Sequence, residues 1–410
     1  MDRKGNALYI QSGGPTAVVN ATAYGVITEC RRQKAVGEIY AAEHGISGVI
    51  HGKLFDVTDS FAGEELLPRT PGMFFGSSRY EIDEKDPAQR DYSKILETLK
   101  AFDIRYIILN GGNGTVRAAL RLGRFLNDRE YPCQLIVAPK TVDNDVGLTD
   151  HAPGFASAAR HVVLRVSELL RDLRTYDTDL IMAVEVMGRN TGFLAAAALA
   201  AGKIGATPDL IYVPEVLFER EKFLEDVSHV LRKKGKCFAV VAEGVRTPEG
   251  KFLFEEVSVN RGMDMKKNMG GIIPCLNDLL RTRFRCKIRG IDLGLMQRCD
   301  ATSVSETDRK EALETGRLAV REAVGGSHLK MASIKRTAAD SDETRYGLED
   351  LAAVAARDKT LPLCYINKAG NYIEESYLGY ILPLIGALPE YTLLNEKVVG
   401  AVRRKSQGEE

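Results

Sequence analysis

The segment with the clearest potential for chemistry is Pro139-Lys140-Thr141-Val142-Asp143-Asn144-Asp145. It follows the apolar run 135–138, which predicts a short buried strand. In open α/β sheets, ligands bind beyond the carboxyl ends of the strands. At such a place Asp143 can accept a proton from a hydroxyl group and Lys140 can bind a phosphate. The alternative is a solvated turn that is rich in Asp and Asn.

Two glycine-rich turns add a phosphate-binding signal. Gly13-Gly14 and Gly111-Gly112-Asn113-Gly114 each follow a predicted strand and open a predicted helix. Glycine lets the backbone approach a phosphate, and a helix N-terminus presents unpaired N–H groups. Neither turn matches the dinucleotide fingerprint or the P-loop, and tight turns use glycine for steric reasons anyway. Together with Lys140, the pair indicates a polyphosphate site.

The second half of the chain places further polar residues after apolar runs. Met187-Gly188-Arg189 and Glu243-Gly244 each follow such a run, and Arg289, Gln297 and Arg298 flank a third one. Arginine binds oxyanions bidentately, and a glutamate can accept hydrogen bonds from sugar hydroxyls. Taken singly, each of these residues is also compatible with a surface charge or a helix cap.

The elements that must position these residues alternate along the chain. Apolar runs predict strands at 7–10, 39–42, 106–109, 135–138, 181–186, 210–213 and 238–242. Apolar residues at helical spacing predict helices near 18–30 and 155–173. This alternation predicts an α/β fold with mainly parallel sheets covered by helices.

Composition limits the possible partners and location. The chain has 410 residues, 44% apolar and 27% charged, with a formal net charge of zero. Balanced charge gives no argument for nucleic acid, and no apolar run is long enough to span a bilayer. The seven cysteines are scattered and include no CxxC pair, and the first residues do not resemble a signal peptide. We therefore expect a soluble cytoplasmic protein.

The ordered set of motifs resembles the phosphofructokinase family over nearly the whole chain. The resemblance rests on Gly13-Gly14, on Gly76-Ser77-Ser78-Arg79, on the two richer turns at 111–115 and 139–145, on Met187-Gly188-Arg189, on Glu243-Gly244 and on Gln297-Arg298. The tail at 377–385 is similar to that of the longer, pyrophosphate-type branch. The resemblance implies phosphoryl transfer to the 1-hydroxyl of fructose 6-phosphate, with Mg²⁺ as cofactor.

The resemblance also implies an architecture. It implies two Rossmann-like lobes with the active site between them, and we expect a homo-oligomer, either a dimer or a tetramer. We expect a donor lobe at 1–150 that is completed by a segment around 300–335, a fructose 6-phosphate lobe at 151–299, and a C-terminal extension at 336–410 that packs on the lobes.

Individual roles follow by matching each residue to the family motifs. Asp143 matches the base, Thr141 a contact to the transferring phosphoryl group, and Asp145 a supporting carboxylate. The implied donor-binding residues are Gly14, Arg79, Gly112, Asn113, Gly114 and Thr115. The implied substrate-binding residues are Thr141, Val142, Asp143, Met187, Gly188, Arg189, Glu243, Arg289, Leu295, Met296, Gln297 and Arg298. Arg289 matches an arginine that the family supplies from a neighbouring subunit.

Three positions depart from the family pattern. Asn113 replaces the usual magnesium-binding aspartate, which removes a charge, so that magnesium would arrive with the phosphates and be held by an amide oxygen or by waters. Leu295 replaces a histidine or tyrosine beside the 6-phosphate. Leu180 stands where the family often has a basic residue that reaches the substrate of the neighbouring subunit.

The phosphoryl donor depends on Gly114 and Lys140. In the family, pyrophosphate users typically carry aspartate at the position of Gly114, where it fills the space of the ATP α-phosphate. Glycine leaves that space open and favours ATP. Lysine at position 140 is typical of pyrophosphate users, but it excludes neither donor. We therefore expect ATP, with pyrophosphate as the alternative.

Two other classes of function stay open at this point. A catalytically weak regulatory paralogue that binds sugar phosphate would explain Asn113, Leu180 and Leu295. A Rossmann oxidoreductase is disfavoured because the sequence contains neither the GxGxxG fingerprint nor a matching acid for the ribose.

Overall fold

The chain forms two parallel-type sheets, each with helices packed against it. The computed structural model describes residues 4–78, 80, 82, 86, 88–205, 207–255, 271–338 and 343–392. In chain order the strands are β1 Gly5–Gln11, β2 Val36–Ala42, β3 Leu54–Asp56, β4 Ile104–Gly111, β5 Gln134–Pro139, β6 Leu180–Val186, β7 Leu210–Tyr212, β8 Lys236–Ala242, β9 Lys287–Asp292, β10 Lys330–Arg336 and β11 Thr344–Asp350.

The helices alternate with these strands. The α-helices are α1 Val19–Arg32, α2 Ile46–Ile50, α3 Arg90–Ala101, α4 Asn113–Asp128, α5 Phe155–Arg174, α6 Phe193–Ala197, α7 Arg220–Lys234, α8 Ile273–Arg283, α9 Glu306–Val324, α10 Leu351–Ala355 and α11 Ser376–Ile385. Short 3₁₀ helices lie at Glu64–Arg69, Ala198–Ile204, Gly294–Arg298 and Leu363–Tyr365.

The first sheet has the strand order β11-β10-β5-β4-β1-β2-β3. Its centre is parallel, and only the outermost strands β11 and β3 pair antiparallel with their neighbours. Both faces are covered, since Leu8 and Ile10 of β1 belong to one buried cluster and Ala7 and Tyr9 to another. Parallel strands buried on both faces read as continuous apolar runs, which is why the sequence predicts them.

The second sheet has the order β7-β8-β6-β9, and every pairing in it is parallel. Its central strands β6 and β8 are buried almost throughout. The two-sheet, mainly parallel α/β architecture predicted from the sequence is confirmed.

The chain returns to the first sheet after completing the second. Helix α9 packs closely on α1 at Gly316. A methyl group built on this glycine would lie only 2.4 Å from the carbonyl oxygen of Thr22, so a larger residue would force the helices apart. Strand β10 then pairs with β5. The strands β3, β9, β10 and β11 are short, edge-placed or polar, and for that reason their apolar pattern does not predict them.

Candidate active site

The turn after β5 is organised by the hydroxyl group of Thr141. Thr141 Oγ1 donates to Asp145 Oδ1 at 2.9 Å and accepts from the backbone N–H of Asp143 at 3.0 Å. The backbone N–H of Lys140 donates to the carbonyl of Gly111 at 3.0 Å, which ties this turn to the end of β4. Both carboxylates of the motif therefore lie at the carboxyl edge of the first sheet in a defined arrangement.

Asn113 holds the second carboxylate from the neighbouring turn. Its Nδ2 donates to the backbone carbonyl and to Oδ2 of Asp145, both at 2.9 Å. The amide nitrogen of Asn113 therefore lies next to the carboxylate of Asp145. An aspartate at position 113 would place a second negative charge there and repel Asp145. The substitution that removes a charge from this site also supplies a hydrogen-bond donor to Asp145.

The two glycine turns adjoin each other and the buried lysine. Thr115 Oγ1 donates to Ser12 Oγ at 2.9 Å, which joins the start of α4 to the end of β1. A methyl group built on Gly13 would lie 3.0 Å from Lys140 Nζ, and one on Gly14 would lie 3.0 Å from Arg298 Nη1. Because glycine carries no side chain, both cations approach the backbone of the first turn directly.

Two turns of the second sheet are joined by polar side chains. Gln297, which is buried, accepts a hydrogen bond from the backbone N–H of Met187 at 2.9 Å. Glu243 Oε1 accepts from the backbone N–H of Gly188 at 3.3 Å. Gly188 has φ +137°, so a glycine is required at this bend. Gln297 therefore connects the turns after β6 and β9.

The electric field at the site is set by three acids, Asp143, Asp145 and Glu243, and by two cations, Lys140 and Arg298. Burial, followed by repulsion from Asp145 and Glu243, raises the pKa of Asp143 to about 7. Burial lowers the pKa of Lys140 to about 8, although Asp145 and Asp143 favour its charged form. A carboxylate that binds a proton near neutral pH is suited to general base chemistry, and the neighbouring lysine is suited to an anionic partner.

This pair of groups predicts a bell-shaped dependence of kcat/KM on pH. Asp143 must be deprotonated to act as a base, so activity rises through pH of about 7. Lys140 must be protonated to bind a phosphate, so activity falls through pH of about 8. Initial rates from pH 5.5 to 9.5 measure both limbs. Lys140→Met should lose the alkaline limb and keep the acid limb, and an unchanged alkaline limb in that variant would contradict the assignment.

The family model for phosphofructokinase matches residues 6–323 of the chain. The chain belongs to the phosphofructokinase family. A pyrophosphate–fructose 6-phosphate 1-phosphotransferase from Halomonas elongata is 35% identical over 93% of this chain and 91% of its own length. The crystal structure of a pyrophosphate-dependent phosphofructokinase from Nitrosospira multiformis superposes with a TM-score of 0.84 at 34% identity, covering 95% of this chain and 94% of the other.

ATP-dependent members of the phosphofructokinase family match over less of the chain. One from Chloroflexus aggregans is 30% identical over 80% of this chain and 86% of its own length. The family resemblance expected from the motifs is confirmed, including its likeness to the pyrophosphate-type branch. For the donor, these comparisons favour the pyrophosphate alternative over the ATP that Gly114 suggested.

The structure does not place every phosphofructokinase motif residue at this site. Arg289 lies on β9 and pairs with Asp172 of α5 at 3.3 Å, on a half-exposed surface. Leu295 and Met296 are 62% and 56% exposed, and Arg79 lies outside the described residues. Leu180 is buried at the start of β6, so it is a core residue of this chain. Val142 packs against the hydrophobic core of the second sheet.

Glu185 is a buried acid that the motifs did not single out. It lies on β6 and accepts from the backbone N–H groups of Gly271 at 2.7 Å and Ile273 at 3.2 Å, at the start of α8. Burial raises its pKa to about 7. In the sequence, the signal for a functional role of Glu185 was a charged residue inside an otherwise apolar strand.

The helices and the clusters of polar side chains bear on membranes and metals. Among the described residues, no helix combines the length and the apolar composition needed to cross a bilayer. Nor do three or more His, Cys, Asp or Glu side chains in the described ranges form a group suited to a metal ion.

Proposed function

We propose that the protein is a pyrophosphate-dependent fructose 6-phosphate 1-phosphotransferase. The observation that carries the choice of donor is the match to a pyrophosphate–fructose 6-phosphate 1-phosphotransferase over 93% of this chain and 91% of that relative. Lys140 agrees with this choice, since lysine at this position is typical of pyrophosphate users in the family. Its side chain is only 5% exposed, and its Nζ lies 3.0 Å from a methyl group built on Gly13, so its charge is little screened from a bound phosphate.

The proposed reaction uses Asp143 as the general base. Asp143 accepts the proton of the sugar 1-hydroxyl while that oxygen attacks the terminal phosphorus of pyrophosphate. The bridging P–O bond breaks, and inorganic phosphate leaves. Lys140, Arg298 and the backbone N–H groups of the Gly13-Gly14 turn stabilise the charge on the transferring group. Thr141 and Asn113 contribute by holding Asp145 in place beside the base.

The sugar contacts are proposed for the turns of the second sheet. Glu243 accepts a hydrogen bond from the backbone of the Met187-Gly188-Arg189 turn, and its charge contributes to the raised pKa of Asp143. A sugar bound between these two acids would have its reacting hydroxyl at the base. Arg289 is available for the 6-phosphate of a neighbouring subunit, since its present partner is a half-exposed carboxylate.

Magnesium fits this site when it arrives with the phosphates. Mg²⁺ prefers one or two protein oxygens together with phosphate oxygens and waters. Asp145 and the amide oxygen of Asn113 are the atoms that would hold it, since Asn113 uses its nitrogen on Asp145. When bound, the ion neutralises charge on the phosphates.

Side-by-side assays with pyrophosphate and ATP, with and without Mg²⁺, test the proposal. We expect fructose 1,6-bisphosphate formation with pyrophosphate at a kcat/KM at least about 10-fold above that with ATP, a difference of about 1.4 kcal/mol. A preference for ATP would reject the donor. Absence of turnover with both donors, while fructose 6-phosphate binds, would instead support a regulatory paralogue.

Gly114 offers a separate test of donor selectivity. A methyl group built on Gly114 would meet no atom within 4 Å, so a side chain can leave the backbone there without a clash at its first carbon. Gly114→Asp should lower kcat/KM for ATP by about 10-fold or more and for pyrophosphate by less than about threefold, because the carboxylate repels an α-phosphate. Gly114→Asn is the matched control for size without charge. Equal losses with both donors would contradict the α-phosphate argument.

A further inference from the structure

Asn144 lies between the two acids of the catalytic turn and has an unusual backbone. Its φ is +61°, in the left-handed region, and the residue is fully buried. This conformation costs about 1 kcal/mol or more for a residue with a side chain, although asparagine tolerates it better than most. The conformation must therefore be maintained by contacts around Asn144.

Those contacts come from a segment more than 200 positions later in the chain. Lys359 Nζ donates to Asn144 Oδ1 at 2.9 Å, and Tyr380 OH accepts from Asn144 Nδ2 at 2.8 Å. Both ends of the Asn144 amide are thus bound, which defines its orientation. Tyr380 OH in turn donates to the carbonyl of Asp150 at 2.9 Å.

Lys359 directs both its Nζ and its backbone N–H at the stretch that follows the base. Besides Asn144, its ammonium donates to the carbonyls of Asp150 at 2.6 Å and Thr149 at 3.3 Å. Its backbone N–H donates to the carbonyl of Asp145 at 3.0 Å. A single residue therefore binds the two positions that follow Asp143, one through its side chain and one through its backbone.

The same segment also contacts the second lobe. Lys359 Nζ lies 5.1 Å from the ring centroid of Phe193, at the start of α6. Glu215 Oε1 accepts from the backbone N–H groups of Leu361 at 2.8 Å and Gly192 at 3.0 Å. Gly192 follows the Met187-Gly188-Arg189 turn, so residues 359–361 connect the turn that carries the base with the turn proposed to bind the sugar.

We infer that Lys359 is a positioning residue for Asp143, acting through Asn144. Its Nζ donor keeps Asn144 in the left-handed conformation, and this conformation determines where Asp143 and Asp145 point. The inference rests on the proposed role of Asp143 as the base but is independent of the identity of the donor. Removing Nζ of Lys359 takes this donor from Asn144 Oδ1 and from the carbonyl of Thr149, whereas the carbonyl of Asp150 keeps Tyr380 OH, and the turn relaxes.

Lys359→Met tests the inference in the full-length protein with whichever donor the wild type uses. Misplacing a catalytic group by about 1 Å can cost roughly 100-fold. We therefore expect kcat to fall about 10- to 100-fold while KM for both substrates changes less than about threefold. Lys368→Met, an exposed lysine on the same segment, is the matched control and should keep wild-type kcat. A loss that appears in KM alone would overturn the positioning role.

A double-mutant cycle separates positioning from general stabilisation. Asn144→Gly accepts positive φ but cannot bind Lys359, so Lys359→Met should cause no further loss of kcat in that background. Additive losses would overturn the inference, because Lys359 would then act by another route. Tyr380→Phe removes one oxygen from the interior and should lower kcat about 3- to 10-fold without loss of folding. Wild-type kcat in a folded Lys359→Met protein would also reject the inference.

Failure of the proposed function gives a different pattern. If the wild type turns over ATP rather than pyrophosphate, the donor is wrong and the cycle is run with ATP. If Asp143→Asn retains activity, Asp143 is not the base, regardless of the effect of Lys359→Met.

Discussion

Asp143→Asn is expected to lower kcat by about 1,000-fold, since a general base typically contributes 100- to 10,000-fold. Asparagine keeps the shape of the side chain and the hydrogen bond from the Asp143 backbone to Thr141 Oγ1. KM for fructose 6-phosphate should therefore change by less than about threefold. Steady-state kinetics with saturating donor measure both constants. Asp128→Asn, at an exposed position at the end of α4, is the matched control and should behave as wild type.

The same variant carries a stability signature that distinguishes loss of a base from loss of folding. Asp143 ionises near pH 4 in an unfolded chain and near 7 in the folded protein. Across this window the folded state keeps a proton that the unfolded state has lost, so the contribution of this group to stability falls as pH rises and levels off above 7. Asp143→Asn removes the cost of keeping a buried carboxylate ionised. The variant should therefore have a free energy of unfolding at pH 8 that is higher by about 1–2 kcal/mol, with little change at pH 4.

Denaturant unfolding at the two pH values tests this signature. An inactive variant that is less stable than wild type at pH 8 would indicate a structural role for Asp143. A stable variant with wild-type kcat would remove Asp143 from the mechanism altogether.

The second large effect is expected at Lys140. Lys140→Met retains the length of the side chain and removes its charge, so the donor turn loses its buried cation. A charge-assisted hydrogen bond contributes about 1.5–3 kcal/mol, and kcat/KM for pyrophosphate should fall about 10- to 150-fold. With ATP the fall should be smaller, because the larger donor binds through additional contacts.

Lys53→Met provides the control for Lys140, since Lys53 is an exposed lysine of the same lobe. Lys140→Gly, which removes the side chain typical of pyrophosphate users, should shift the ratio of the two activities toward ATP. A larger loss with ATP than with pyrophosphate in either variant would contradict the proposed donor.

Much of the local structure followed from the sequence. The central parallel strands are buried on both faces and read as apolar runs, and the turns at 13–14, 111–115 and 139–145 follow them directly. Because carboxyl ends of parallel strands meet at one edge, the sequence also implied that these turns adjoin. The spacing and order of the motifs were sufficient to indicate the phosphofructokinase family.

Tertiary contacts decided which partner each polar side chain of the site binds. Asn113 matches the position of a metal ligand, and the structure adds that its amide nitrogen binds Asp145. Gln297 matches a substrate-binding position, and the structure adds that its amide oxygen accepts from the backbone N–H of Met187. A side-chain amide can bind one partner through its oxygen and another through its nitrogen, and these partners are distant in the sequence.

Lys359 and Tyr380 show most clearly which contacts the sequence does not predict. Periodicity reports which face of an element is buried, but it does not report which distant residue meets it. Both residues lie in a C-terminal stretch without a phosphate-type turn, and only the folded chain brings them to Asn144. The sequence determined the chemistry available at Asp143. The tertiary structure alone decided what holds it in place, because long-range hydrogen bonds to a strained backbone leave no periodic trace in the chain.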